Sequence, residues 1–162
     1  ELWAYELDGR IVAMPVVADG ALYVGSFAGS VYSLTAKKGA LNWKFLAGDA
    51  ILAPPTPYRG TVYAGTSAGT VFAIAADNGK ERWRYRSGGK IQAEAVALRD
   101  TVYVPAGRTI FALAAATGAL EWKRDFDHAV TTSAAAVGDE LFFGLDNGRV
   151  VSVRTDLGTR VR

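Results

Sequence analysis

The chain has 162 residues, half of them hydrophobic and 21% charged, with 18 glycines, no cysteine, and 18 basic against 16 acidic side chains. This is the make-up of one ordinary globular domain; it excludes a disulfide framework, a thiol nucleophile and a cysteine zinc site. The near-even charge gives no electrostatic case for nucleic acid as the main partner, and no run approaches the roughly 18–20 apolar residues of a membrane-spanning helix. The opening ELWAYELDGR does not read as a signal peptide.

In chain order, the first element is a strand over Glu1–Glu6 that carries Trp3. Trp3 is the first of four tryptophans, with Trp43, Trp83 and Trp122 following at intervals of 40, 40 and 39 residues. Glycine keeps the same phase: Gly39, Gly79 and Gly118 each stand four residues before a tryptophan, and Gly158 falls where the next would be. Pro15 and Pro55 each follow a tryptophan by 12 residues, whereas Ala95 and Ala134 occupy that place in the later units. Three residue types sharing one period mark an internal repeat. Its units run approximately over 3–42, 43–82, 83–121 and 122–162.

The second unit shows the elements most plainly. An inner strand is expected over Leu52–Tyr58, a turn at Arg59-Gly60, and a strand over Thr61–Gly65. A loop, Thr66–Gly69, leads to a strand over Thr70–Ala75, a turn at Asp77-Asn78-Gly79, and an outer strand over Glu81–Arg86. The runs are short, rich in Val, Tyr, Phe and Ile, and punctuated by turn formers, which is strand rather than helix patterning. Asn78-Gly79 suits a tight hairpin because both residues tolerate positive φ. Lys38-Gly39, Thr117-Gly118 and Leu157-Gly158 are the matching turns. Four strands in about 40 residues is the plan of a β-propeller blade, so the fold class is all-β, a propeller of four-stranded antiparallel blades. A tryptophan on each outer strand can fill the wedge between blades while its indole N–H reaches a carbonyl. Trp3, Trp43, Trp83 and Trp122, with Gly39, Gly79, Gly118 and Gly158, are therefore assigned structural docking roles.

The segments GTVYAGTSAGTVFAIAADNGKERW (60–83), LYVGSFAGSVYSLTAKKGALNW (22–43) and TIFALAAATGALEW (109–122) resemble the PQQ-like repeat. This is the tryptophan-docking blade shared by bacterial quinoproteins and the BamB family of outer-membrane assembly lipoproteins. The fourth unit, LFFGLDNGRVVSVRTDLGTRVR, is a weaker copy with Arg162 at the tryptophan position. The resemblance covers essentially the whole chain and speaks for the fold; the same blade serves enzymes and pure scaffolds. The enzymes hold a quinone with a calcium ion fixed by acidic and amide side chains. Nothing of that set can be matched here: the acidic residues lie mainly in turns, and calcium needs about 6–8 converging oxygens. No catalytic, cofactor-binding or metal-binding residue is assigned. His128, beside Asp127, has no accompanying nucleophile elbow.

Loops joining each outer strand to the next inner strand share a face with the loops between second and third strands. Arg10, Lys90, Arg108 and Arg149 make that face basic and Phe27 adds an apolar anchor, so these five are the candidate partner-binding residues. Outer strand Glu1–Glu6 and fourth-unit strand Val150–Thr155 complement each other and are expected to pair. Pairing within one chain closes a four-bladed ring, and pairing between two chains makes an eight-bladed homodimer, the number the resemblance favours. The third option is a piece of a longer chain whose other blades finish the ring, which fits a sequence that starts without methionine.

The resemblance implies a non-catalytic scaffold for protein–protein interaction, BamB-like, in outer-membrane protein assembly or an envelope sensor, periplasmic or associated with the outer membrane. The alternatives are a PQQ-binding, calcium-dependent quinoprotein dehydrogenase fragment, and an engineered or excised half-propeller that dimerises. No cofactor, nucleic acid or membrane span is expected under the leading reading.

Overall fold

The computed structural model describes residues 2–156, and among these every regular element is a strand. The first sheet is β1 (Val16–Ala18), β2 (Ala21–Gly25), β3 (Ser30–Thr35) and β4 (Leu41–Leu46), each paired antiparallel with the next. The second repeats that order with β5 (Thr56–Tyr58), β6 (Thr61–Gly65), β7 (Thr70–Ala75) and β8 (Glu81–Arg86). The third does so with β9 (Val96–Leu98), β10 (Thr101–Ala106), β11 (Thr109–Ala114) and β12 (Leu120–Asp125). In the fourth, β13 (Ala135–Val137), β14 (Glu140–Gly144) and β15 (Val150–Arg154) form three strands of a blade.

Local chemistry explains the hairpins. Arg59 and Gly60 both have positive φ (45° and 71°), the pair of left-handed residues that a two-residue turn needs to match the strand twist. Each third-to-fourth-strand pairing slips by one residue at the same place, between Ser33 and Leu34, Ala73 and Ile74, and Ala112 and Leu113. The slip lies next to the partner of the tryptophan: Ser33 faces Trp43, Ala73 faces Trp83 and Ala112 faces Trp122. A bulge increases local twist and re-aims a side chain; here it sits where the indole leaves the sheet.

The core lies between blades. Val31 and Trp43 of the first sheet pack with Ile51, Val62, Phe72 and Ile74 of the second unit, and Tyr63, Val71 and Trp83 pack with Ile91, Val102 and Phe111 of the third. Tyr103, Ile110 and Ala112 pack with Val130, Leu141, Phe143 and Val153 of the fourth. Cross-blade ring contacts repeat as well, Phe45 on Phe72 at 5.1 Å and Tyr85 on Phe111 at 5.7 Å. Each wedge buries several large apolar side chains at roughly 1.5–3 kcal/mol apiece, so neighbouring blades stabilise one another.

Three expectations are corrected. The inner strand of the second blade is confined to Thr56–Tyr58, as the inner strands of the other blades are confined to three residues whether or not proline precedes them, and Leu52–Pro55 is a connection whose Ala53 is buried. Leu2–Glu6 is not a strand: it has no third strand beside it to supply a ladder, although it lies against the first blade. Nor, within one chain, does it pair with Val150–Arg154, whose ladder partner among the described residues is β14. Glu1, the turn Leu157-Gly158 and Arg162 lie outside the described residues.

Candidate functional site

The tryptophans do the same thing three times. Trp3, Trp43 and Trp83 donate their indole N–H to the carbonyls of Ala36, Ala76 and Ala115 at 3.2, 2.8 and 2.9 Å. Each acceptor lies just after the third strand of the following blade, so the indole crosses the blade boundary. Gly39, Gly79 and Gly118 lie under those rings; a Cβ on any of them would meet Trp3, Trp43 or Trp83 at 2.3–2.7 Å. The glycine four residues before each tryptophan therefore serves the tryptophan one unit earlier, a relation the sequence spacing alone does not show. Within a blade, Tyr23, Tyr63 and Tyr103 lie 5.7–5.9 Å from Trp43, Trp83 and Trp122. Burial holds these tyrosine hydroxyls above their ordinary pKa.

The loop face is built from a recurring backbone bond. The N–H of Phe27 donates to Arg10 O, that of Ser67 to Ala50 O and that of Gly107 to Lys90 O, each at 2.8 Å, and that of Asp146 to Ala129 O at 3.0 Å. Each second-to-third-strand loop is thus tied to the connection entering its own blade, and the two loop sets share one face. Arg10 and Phe27 are brought together side chain to side chain, the guanidinium 4.7 Å above the ring, with both exposed. Lys90 and Arg108 are neighbours through the third-blade loop bond, and Arg108 reaches the carbonyl of Asp127 only at 3.5 Å. Arg149 lies apart, in a cleft of about 600 Å³ shared with Arg124, Asp127 and His128. His128 Nδ1 stands 3.1 Å from Asp146 Oδ1.

Both faces carry cations outside any ion pair among the described residues, Lys37, Lys38 and Lys80 in the third-to-fourth-strand turns of one and four loop residues of the other. On the turn face, Arg59 pairs with Asp100 at 3.1 Å and Arg99 pairs with Asp139, each ion pair spanning adjacent blades. Among the described residues, Arg10, Lys90, Arg108 and Arg149 have no ion-pair partner.

Sequence reasoning missed the cluster around Asp8. Its carboxylate accepts from Ser30 Oγ and pairs with Lys44 Nζ at 2.9 Å, and its backbone N–H donates to Tyr32 Oη at 3.2 Å. Burial works to raise the Asp8 pKa, but hydrogen bonds from Ser30, Ser26 and Lys44 and the Lys44 charge outweigh it, holding the carboxyl well below the usual range. Because the folded pKa lies below the unfolded one, the stabilisation is complete above about pH 4 and is lost as pH falls through the folded pKa. The Tm difference between the native chain and Asp8→Asn is therefore expected to be largest near pH 7 and to shrink as the pH approaches 2. A constant difference across that range would leave the cluster without this role. The only sequence signal was its place, five residues after Trp3.

No group of three or more His, Cys, Asp or Glu side chains gathers to hold a metal among the described residues. That does not fit a calcium cage with its six or more oxygens, and no chemistry is derived through a calcium-held quinone.

The family model described as the outer membrane protein assembly factor BamB matches residues 1–162. Similar solved structures include BamB from Moraxella catarrhalis, with a TM-score of 0.86 and 22% identity over 96% of this chain and 53% of that one. The computationally designed Ika4 protein aligns with a TM-score of 0.83 and 21% identity over 95% and 97% of the two chains. A quinohemoprotein alcohol dehydrogenase from Pseudomonas putida HK5 aligns at 0.81 and 20% over 95% and 34%. The chain spans about half the length of the BamB structure it matches, and no curated protein matches its sequence. These likenesses share the propeller fold seen here in partial form, and the match along the whole sequence places the chain in the family of the outer membrane protein assembly factor BamB.

Proposed function

We propose that the chain is a non-catalytic propeller scaffold in the cell envelope, periplasmic or associated with the outer membrane, whose loop face binds a protein partner. The observation that carries this reading is the exposed Phe27 with the Arg10 guanidinium stacked 4.7 Å above its ring, on the loop face that also holds Lys90, Arg108 and Arg149 outside any ion pair. An aromatic with a guanidinium stacked on it is a rigid anchor that loses little entropy on binding, and arginines without acidic partners are free to take carboxylates and carbonyls. The loops are short, so they offer a firm docking surface and little material for a lid. Under this reading no cofactor is used. The ring is finished either by a second copy or by further blades.

The test is capture of an envelope partner by the native chain and by Arg10→Glu/Arg108→Glu, with circular dichroism showing that both fold. Capture is expected to fall at least tenfold in the variant; equal capture would move the binding surface elsewhere. Titration with PQQ and calcium is expected to leave tryptophan fluorescence unchanged, whereas saturable quenching would favour the quinoprotein reading.

A further inference from the structure

The slip between third and fourth strands leaves one residue of each outer strand out of the ladder, just before its tryptophan: Asn42 in β4, Arg82 in β8 and Glu121 in β12. A bulge re-aims such a side chain, and the three use the position differently. Asn42 donates to Ser33 Oγ at 3.1 Å, and Glu121 accepts from Thr101 Oγ1 at 2.9 Å. Arg82 donates from Nη1 to Thr61 Oγ1 at 2.6 Å, and among the described residues it has no acidic partner. A guanidinium is a planar fork of N–H donors that matches a carboxylate through two parallel bonds. The threonine engages one nitrogen and holds the fork in place.

Arg82 lines a cleft of about 290 Å³ at the mouth of the wedge between the second and third blades, on the turn face. Arg59, Arg99 and Asp100 line it too, so three guanidinium groups surround the cleft with one carboxylate. Arg59 is engaged by Asp100 and by Arg99 O, each at 3.1 Å, and Arg99 by Asp139. Tyr58 and Tyr63, also in the wall, donate their hydroxyl protons to Arg99 O and Ala115 O at 3.0 and 3.2 Å. Arg82 is the cation left with donors to offer, and beside it the wall is apolar, from Ala115 and Ala116. The neighbouring wedges are built otherwise. Between the first and second blades, Asn42 stands at the place of Arg82 and Asp19 at that of Arg59. Asp77, which follows the tryptophan acceptor Ala76, stands at the place of Ala116, which follows the acceptor Ala115. The third blade has Glu121 at the Arg82 place. The blade itself therefore does not require an arginine there.

We propose that this cleft binds a small organic carboxylate, its carboxylate on the Arg82 fork and its apolar body against Ala115 and Ala116, with Arg59 and Arg99 adding positive potential at the rim. The volume is at the small end for ligand pockets, which suits a single-ring or short-chain acid. The uncompensated guanidinium selects an anion, and the apolar wall selects an organic one. The site shares no residue with the loop face, so it goes beyond the docking reading and is judged separately from it.

Sodium benzoate is the probe, titrated into the isotope-labelled 162-residue chain, with inorganic phosphate as the second arm. Benzoate is expected to shift the Arg82 Nε–H resonance and the amides of Ala116 and Thr117 saturably, and phosphate to bind at least tenfold more weakly. Arg82→Asn and Ala116→Asp each bring in the residue of the first wedge, where Asn42 and Asp77 stand in an intact junction, so both chains are expected to fold. Each is expected to weaken benzoate binding roughly tenfold or more, with the amide spectrum of the first blade unchanged. No saturable shift at Arg82, or equal benzoate affinity in either variant, overturns the proposal. Phosphate binding as tight as that of benzoate overturns the organic-acid assignment, because the cleft would then take any anion through charge alone.

Discussion

Replacing Trp83 with alanine is expected to lower the unfolding free energy by about 3–5 kcal/mol, the range for deleting a buried aromatic. The side chain is buried between the second and third blades, with Tyr63 5.7 Å away and Gly118 beneath it, and its N–H bonds Ala115 O at 2.9 Å. All three contacts vanish together, and the surrounding strands cannot collapse into the gap because each belongs to a hydrogen-bonded sheet. At about 2–4 °C per kcal/mol for a domain of this size, Tm should fall by roughly 6–20 °C. Trp83→Phe keeps most of the packing and loses the hydrogen bond, a loss of about 1 kcal/mol. Trp3→Ala removes the same kind of contact, but from a segment with no ladder behind it, so its cost should stay near 1 kcal/mol. Urea melts of the three variants rank them directly. A Trp83→Ala chain within 1 kcal/mol of the native one would mean that the indole does not hold the blades together.

Much of this arrangement was readable because the repeat turns a weak local signal into a strong one. A single Gly-x-x-x-Trp means little; three at one period fix the length of the structural unit, and the strands Thr61–Gly65, Thr70–Ala75 and Glu81–Arg86 follow from turn chemistry at their ends. The inner strand was less legible because apolar residues run on through Leu52 and Ala53, which belong to the buried connection, whereas every inner strand is only three residues long. Leu2–Glu6 has the composition of an outer strand yet is not one, since a strand exists only with a partner beside it and its partner is absent from the same blade. The basic face was legible as a set of loop positions, but its state was not. That Arg59 and Arg99 spend their charge on neighbouring blades while Arg10 stacks on Phe27 depends on distances between units. The Asp8 cluster was hidden for the same reason: its partners Ser30 and Lys44 are more than 20 residues away, on a sheet it does not belong to.

The docking glycines allow a sharper experiment than the tryptophans, because the fold supplies its own control. Gly60 and Gly79 have nearly the same backbone conformation, φ of 71° and 72°, but a Cβ on Gly60 would meet nothing within 4 Å, whereas one on Gly79 would strike the Trp43 indole and its Cβ at 2.7–2.9 Å. Gly60→Ala should therefore show only the cost of placing an L side chain in the left-handed region, about 1–2 kcal/mol. Gly79→Ala carries that same cost and must also lift Trp43 from its seat. Lifting the ring stretches the bond to Ala76 O and opens the wedge against Tyr23, for a total on the order of 3–5 kcal/mol. The two glycines share their φ and differ in what an added Cβ would meet, so the gap between the two denaturation midpoints reports chiefly the docking contact. Trp43→Ala combined with Gly79→Ala closes the cycle: with the indole gone, the added methyl meets only the Cβ of residue 43, at 2.9 Å, and its cost should fall towards that of Gly60→Ala. If Gly79→Ala costs no more than Gly60→Ala in the native background, glycine is there for its backbone conformation alone and the close approach of the ring contributes nothing.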